Sequence, residues 1–305
     1  MDKSYLAYPK RTYGQDHKFY DWQQAKDRKK LSWDNEAKVA ISFIIPLEFF
    51  PLNPSGTPFK HPGAMVTPYP DLRHFTVREY GNRVGVFRIL EALEQANVKA
   101  TFAVNGEIAK RYPPLLDMIK SHGHEIAVHG LSTDHIHHEG LSVRKEDTLI
   151  NDALSCFGDA PKGWMSPARN QSSRTLDLLV KIGCQYCLDW EMDQVPVQAK
   201  TSDGDITLVP NNYELSDFTL LHTRRQTEEA WLKQIENSMD LLLEEHARFG
   251  AQMLGLTLTP YVIGQPFRIR ALRTLLKTIN TSPHVETFTA GDIAAQFMDQ
   301  NASSS

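Results

Sequence analysis

Apolar residues in this chain recur in two alternating rhythms, short continuous runs and stripes at helical spacing. Val39-Ala40-Ile41-Ser42-Phe43-Ile44-Ile45 is a nearly unbroken β-branched and aromatic run ending at Pro46, the pattern of a strand buried on both faces. Between Leu47 and Pro70 come prolines at 51, 54, 58, 62, 68 and 70, which predict a long irregular loop. Val86, Leu90 and Leu93 mark a helix over Arg83 to Ala96, followed by a strand from Ala100 to Val104. A short helix from Pro114 to Ser121, stopped by Gly123, leads into a strand from Glu125 to His129. Downstream, Ser172 caps a helix carrying Leu176, Leu179 and Ile182 with Gly183 as its stop, and Cys184 to Trp190 is strand-like. Thr227 to Ala247 is a long helix with Trp231, Ile235, Met239 and Leu242 on one stripe. Met253 to Thr259 reads as a strand, Ile269, Leu272, Leu276 and Ile279 as a helix, and Val285 to Thr289 and Ile293 to Met298 as a last strand and helix.

Repeated strand–helix units imply an α/β fold, a mostly parallel sheet covered by helices. Nothing like a linker divides the chain, so a single barrel-like domain over 38–300 is expected, with a polar surface segment over 1–37 and a tail at 301–305. The 305 residues are enough for a sizeable core. A net charge of −4 provides no basic footprint for nucleic acid. No apolar stretch is long enough to span a membrane, and the first residues lack the apolar core of a signal peptide. Three cysteines, Cys156, Cys184 and Cys187, make no disulfide framework. The expectation is a cytoplasmic protein that takes a small-molecule substrate.

In parallel α/β folds the chemistry gathers at the C-terminal ends of the strands. After the first predicted strand stands Glu48, flanked by Leu47, Phe49 and Phe50; burial there suits a general acid or base. Its bland alternative is a loop carboxylate turned to solvent. Asn105 follows the second strand and is placed to orient a carbonyl. His129 ends the third, with Gly130 allowing a sharp turn; a structural imidazole bonded to a carbonyl is the alternative. The group His135, His137 and His138 reads as solvated rather than as a zinc site, which needs about four converging ligands. Cys184 and Cys187, three apart in a strand, face opposite ways as a packed, inert pair. Trp164 and Arg169, Asp189, Glu214, and Thr259 with Tyr261 complete the inventory of a polar pocket for a nitrogen- and oxygen-rich molecule.

Arg78-Glu79-Tyr80-Gly81-Asn82-Arg83-Val84-Gly85-Val86 resembles a segment of the polysaccharide deacetylase (NodB-homology) superfamily, nearest its allantoinase-like branch. Gly123 to Gly130, Gly163-Trp164, Asp189-Trp190 and Tyr261 to Pro266 extend the resemblance, in order, over about residues 35 to 300. The resemblance implies a distorted (β/α) barrel, hydrolysis of non-peptide carbon–nitrogen bonds in a family of carbohydrate metabolism, and a homo-oligomer. It also implies, for metal-using members, an Asp after the first strand beside a catalytic Asp, two histidines spaced four apart, and a late histidine. At those places this sequence has Glu48 without an Asp pair, His129, then Thr133, and Thr259.

The implied activity is hydrolysis of a small amide, ureide or cyclic imide over a degenerate metal site. Glu48 and His129 are its catalytic residues, and Asn105, Trp164, Arg169, Asp189, Glu214, Thr259 and Tyr261 contact the substrate, Arg169 through a carboxylate or ring oxygen. No cofactor is firmly expected; in a zinc-binding variant Glu48 and His129 are joined by Asp134, His135 or Asp193. The alternative is a non-catalytic member that binds a small ligand or serves as a structural subunit. The proline-rich stretch from Pro51 to Pro70 is expected to cover the pocket, with His61 or His74 touching substrate.

Overall fold

The computed structural model of the protein describes residues 17–55 and 68–302. Its first strand, β1 (Val39–Leu47), is buried at all nine positions. It runs through Pro46 instead of stopping before it. Ile44 accepts from Leu258 and Leu47 from Asn105, so residues 44 and 46 address one neighbour and residue 47 the other. Pairing on the Ile44 side has ended by then, at Ile44↔Thr257, so the N–H that proline lacks is not needed.

The chain then forms α1 (Leu72–Tyr80), a wide turn over Gly81–Gly85, and α2 (Val86–Ala96). The helix expected from Arg83 therefore begins at Leu72, capped by the Asp71 side chain, which accepts from the His74 N–H. Next come β2 (Thr101–Val104), α3 (Gly106–Arg111), α4 (Pro113–Ser121), β3 (Glu125–Val128), α5 (Val143–Leu154) and β4 (Gly163–Trp164). After α6 (Thr175–Lys181) follow β5 (Tyr186–Cys187), β6 (Val197–Lys200), β7 (Asp205–Leu208) and α7 (Glu228–Phe249). The chain closes with β8 (Gln252–Thr257), α8 (Pro260–Ile263), α9 (Ile269–Thr281), β9 (Val285–Thr287) and α10 (Ala290–Ala302). The long helix was legible because its stripe is clean: Trp231, Ile235, Met239 and Leu242 are its buried residues. Strands β4 and β5 are two residues each and α5 buries Glu146 beside Leu149, Ile150 and Ala153, so neither rhythm stands out there.

The sheet order is β6-β7-β5-β4-β3-β2-β1-β8, with β9 beside the start of β1. Every pairing is parallel except β6 with β7. The sheet curls back on itself: Asn212, beyond β7, bridges to Leu256 of β8. Gly255 makes that approach feasible, since a Cβ there would lie 2.4 Å from the Pro210 carbonyl oxygen. The architecture is a distorted, partly open (β/α) barrel.

Strand parity divides the core in two. In β1, Val39, Ile41, Phe43, Ile45 and Leu47 face the surrounding helices, while Ala40 and Ile44 join Ala103, Ala127, Met165, Tyr186, Leu188, Val209 and Met253 inside the barrel. The described part of the first segment is more than a surface wrap. Leu31 and Trp33 join Ile293 and Phe297 of α10 in that inner cluster, and the Trp33 indole donates to the Gln252 carbonyl at 2.8 Å. They plug the end of the barrel where the strands begin, opposite the strand ends that bear the cleft.

Candidate active site

The same parity, continued past the strand ends, builds the cleft end of the barrel. Counting by twos from Ala40 and Ile44 reaches Pro46 and Glu48; from Ala127 it reaches His129; from Met253 it reaches Thr257 and Thr259. All of these, with Met165, Ala168, Arg169, Tyr213, Ser216, Phe218 and Tyr261, line one cleft of about 600 Å³ including its mouth. Glu48 and His129, 81 positions apart in sequence, meet there with Glu48 Oε1 3.5 Å from His129 Nε2. His129 is almost fully buried and Glu48 about one-fifth exposed.

The imidazole is oriented from behind, its Nδ1 lying 3.0 Å from the Met165 carbonyl. A carbonyl only accepts, so Nδ1 carries the hydrogen and Nε2 is the nitrogen presented to Glu48. Gly130 then turns the chain with φ 59°, where a Cβ would lie 2.5 Å from the Pro167 ring. That contact packs the histidine strand end against the loop carrying Arg169. Arg169 donates to the Asn211 carbonyl at 2.6 Å, to Glu191 at 3.2 Å and to Thr257 Oγ1 at 2.8 Å. Burial lowers the affinity of its guanidinium for the proton, opposed by Glu191 and Asp189. The Tyr261 phenol is pushed up by burial and by Glu48, so it stays protonated and can donate.

Behind Thr259 lies a group that the strand-end inventory passed over. Asp217 is fully buried and accepts from the Thr259 and Ile263 backbone N–H groups. Burial pushes its carboxyl up to about 7 even though these hydrogen bonds pull the other way. The Trp231 indole holds the adjoining segment by donating to the Leu215 carbonyl at 2.9 Å. Nothing local in the sequence marks Asp217, because its partners come from β8 and α8.

Five expected substrate contacts lie elsewhere. Asn105 is fully buried, its amide accepting from the Phe49 N–H and donating to the His129 carbonyl, so it ties strand ends together and has no face on the cleft. Trp164 has the outward parity: it packs among the helices with its indole on Ser166 Oγ, and Met165 is the residue that faces the cleft. Asp189 is likewise outward, two residues from outward Cys187, and accepts from the Ser166 N–H and the Gln171 amide. Glu214 is exposed and pairs with Arg224. His74 packs against Phe50 and Tyr69 and does not line the cleft, and His61, with residues 56–67 of the stretch expected to cover the pocket, lies outside the described residues.

The histidine run also differs from expectation. His137 is fully buried, Nδ1 3.4 Å from Glu146 Oε1 and the ring edge-on to Trp164. His135 lies partly exposed against Ser132 and Asp134. Both Cys184 and Cys187 are buried free thiols, the former pushed up to about 12 by burial, as an inert pair should be.

A catalytic zinc needs three protein ligands. At the places of the family's other histidines, Thr133 donates to the Phe49 carbonyl and Thr259 offers a hydroxyl. Asp134 accepts from Ser132 and Ser55, and Asp193 pairs with Arg28. Among the described residues no three His, Cys, Asp or Glu side chains converge, so the zinc set through Glu48, His129 and a third ligand is not assembled. The donors present do not fit a resident zinc.

The sequence profile of the polysaccharide deacetylase family matches residues 79–187. A putative polysaccharide deacetylase of Schizosaccharomyces pombe is 23% identical over 294 residues, covering 86% of this chain and 91% of that protein. A peptidoglycan deacetylase of Helicobacter pylori is 26% identical over 111 residues, 35% of this chain and 37% of its own. A probable polysaccharide deacetylase of Pseudomonas aeruginosa superposes with TM-score 0.76 at 23% identity, covering 90% of this chain and 95% of its own. The Puue allantoinase superposes with TM-score 0.76 at 21% identity, covering 90% and 94%. Residues 79–187 thus match the polysaccharide deacetylase family, and over most of its length the chain is similar to the S. pombe relative and shares the barrel fold of these solved structures.

Proposed function

We propose that the protein hydrolyses a non-peptide carbon–nitrogen bond in a small amide, ureide or cyclic imide, using a carboxylate–imidazole pair rather than a metal set. The observation that carries this reading is the approach of Glu48 to His129 at 3.5 Å over a common cleft, from strand ends far apart in sequence. Glu48 is the general base, removing a proton from water as it attacks the carbonyl carbon. His129, with Nδ1–H fixed on the Met165 carbonyl, has only Nε2 free to exchange a proton, and in its protonated form donates it to the leaving nitrogen. Thr259 and Tyr261 present hydroxyl groups to the same space and are the donors for the developing oxyanion. Asp217 holds the backbone at Thr259 in place through its buried hydrogen bonds.

A panel of ureides, cyclic imides and N-acetylated amides, assayed with the purified chain, tests the reading. Turnover of one of them that survives unchanged in Glu48→Gln removes Glu48 from the mechanism. The non-catalytic alternative draws on Thr133 and Thr259, which replace two potential proton-transfer groups with hydroxyls. It predicts that a panel compound raises the melting temperature while none is hydrolysed.

A further inference from the structure

Charge is distributed unevenly in the cleft. Among the described residues that line it, Glu48 is the one carboxylate and Arg169 the one guanidinium. Arg169 is built in from several directions. Ala168 and Arg169 both have left-handed backbone, at φ 56° and 53°, which costs energy for side chains with a Cβ. That turn is held on one side by Ser166, whose N–H donates to Asp189, and on the other by Asn170, whose amide donates to the His137 carbonyl. It swings the guanidinium to the cleft wall beneath the Tyr213 ring.

The bonds of Arg169 reveal which edge is spent. Nη1 serves the Asn211 carbonyl and Glu191, and Nη2 serves Thr257, whose hydroxyl is itself committed to the Asn211 side chain. The Nε–H and the second Nη2–H have no protein partner among the described residues. Nε and Nη2 flank the lateral edge of a guanidinium, the edge that matches both oxygens of a carboxylate. A purely structural arginine needs neither the strained turn nor a place on the cavity wall.

We infer that the molecule bound in this cleft carries a carboxylate, which the lateral edge of Arg169 grips while its amide or ureido carbonyl lies at Glu48 and His129. As a statement about substrate this rests on the hydrolase reading above; as a statement about recognition it rests on Arg169 alone. Glu48 reinforces the orientation, because its own charge repels the anionic end toward the guanidinium. The substrate class is thus an N-acyl or N-carbamoyl amino acid, or a cyclic imide bearing an acidic arm. A neutral sugar polymer offers this edge only uncharged oxygens, without the charge-assisted pair.

The test compares matched probes on the full chain by titration calorimetry: N-acetylglycine against N-acetylglycinamide, and N-carbamoylglycine against its amide. The carboxylate of at least one pair is expected to bind at least about tenfold more tightly than its amide, the size of a charge-assisted hydrogen-bonding pair. In Arg169→Gln that preference disappears, and in Arg169→Lys, which keeps the charge and loses the fork, it is partly retained. Equal or absent binding of both members of each pair to the wild-type chain overturns the inference without reference to any variant, and so does a preference that persists in Arg169→Gln. Preference without turnover sustains the carboxylate site and sinks the hydrolase. Turnover with equal efficiency on neutral and anionic probes does the reverse.

Discussion

Two carboxylate–imidazole pairs with buried imidazoles and nearly equal separation sit among the described residues, Glu48 with His129 at 3.5 Å and Glu146 with His137 at 3.4 Å. Their surroundings differ completely. Glu146 and His137 are both fully buried, and the Glu146 oxygens also accept from Ser172 at 2.7 Å, Thr175 at 2.6 Å and Arg174 at 3.3 Å. Burial alone would raise the Glu146 carboxyl, but the hydrogen bonds gathered on it hold it below the ordinary carboxylate range. Glu48 lines a cleft, and His129 uses its one backbone partner to aim its other nitrogen at that cleft. A carboxylate whose oxygens are all satisfied braces the chain. One with vacant lone pairs beside an oriented imidazole can move a proton. The Glu146–His137 pair also serves the cleft, since His137 and Ser172 flank the loop on which Arg169 is carried.

Substitutions can separate the two roles. Glu48→Gln should lower kcat for a hydrolysed substrate by about 10²–10⁴-fold, the usual worth of a positioned acid–base group, while the melting temperature stays close to wild type. Steady-state kinetics beside thermal melts check both halves. Glu146→Ala should instead cost about 3–5 kcal/mol of stability, because it strands the buried partners of a satisfied carboxylate. Urea denaturation measures that loss, and a small value would remove the bracing role.

Between these extremes lies a buried imidazole with no carboxylate partner at hydrogen-bonding range among the described residues. His124 is pushed from 6.5 down to about 4 by burial, with Lys99 and His122 adding to the effect, and its Nδ1 accepts from the Ala100 N–H. Its folded value is depressed, so the stability it contributes is present above pH 6.5 and is lost as the pH falls toward 4. The full loss is roughly 3 kcal/mol. His124→Asn keeps an acceptor for Ala100 and should flatten that acid limb in pH-dependent melts. The smallest effect belongs to the exposed pair of Arg83 and Glu79, where Glu79→Ala should change stability by less than about 0.5 kcal/mol. A larger change there would show that exposure is a poor guide to the worth of these pairs.

The strand ends were legible in the sequence for a simple reason. An apolar run buried on both faces ends where polar residues begin, and in a parallel barrel those ends converge, so Glu48, His129 and Thr259 could be singled out. Trp164, Asp189 and Asn105 were singled out by the same rule and lie off the cleft. For the first two the missing signal was parity: one position along a strand turns a side chain from the barrel to the helices. Asn105 has the inward parity, and its burial beneath the strand ends depends on backbone partners supplied by other strands. Asp217 and the bracing role of His137 depend on contacts with distant segments, and neither leaves a local pattern.

The sequence by itself determined the alternation of strands and helices, and with it the end of the barrel where chemistry gathers, because periodicity is a local property of a folded backbone. Only the tertiary structure decided which carboxylate is open and which is saturated, and which edge of Arg169 is left to a ligand. Those outcomes depend on hydrogen-bond partners brought in from remote parts of the chain, and the count of partners, more than the residue type, separates a brace from a reactive group.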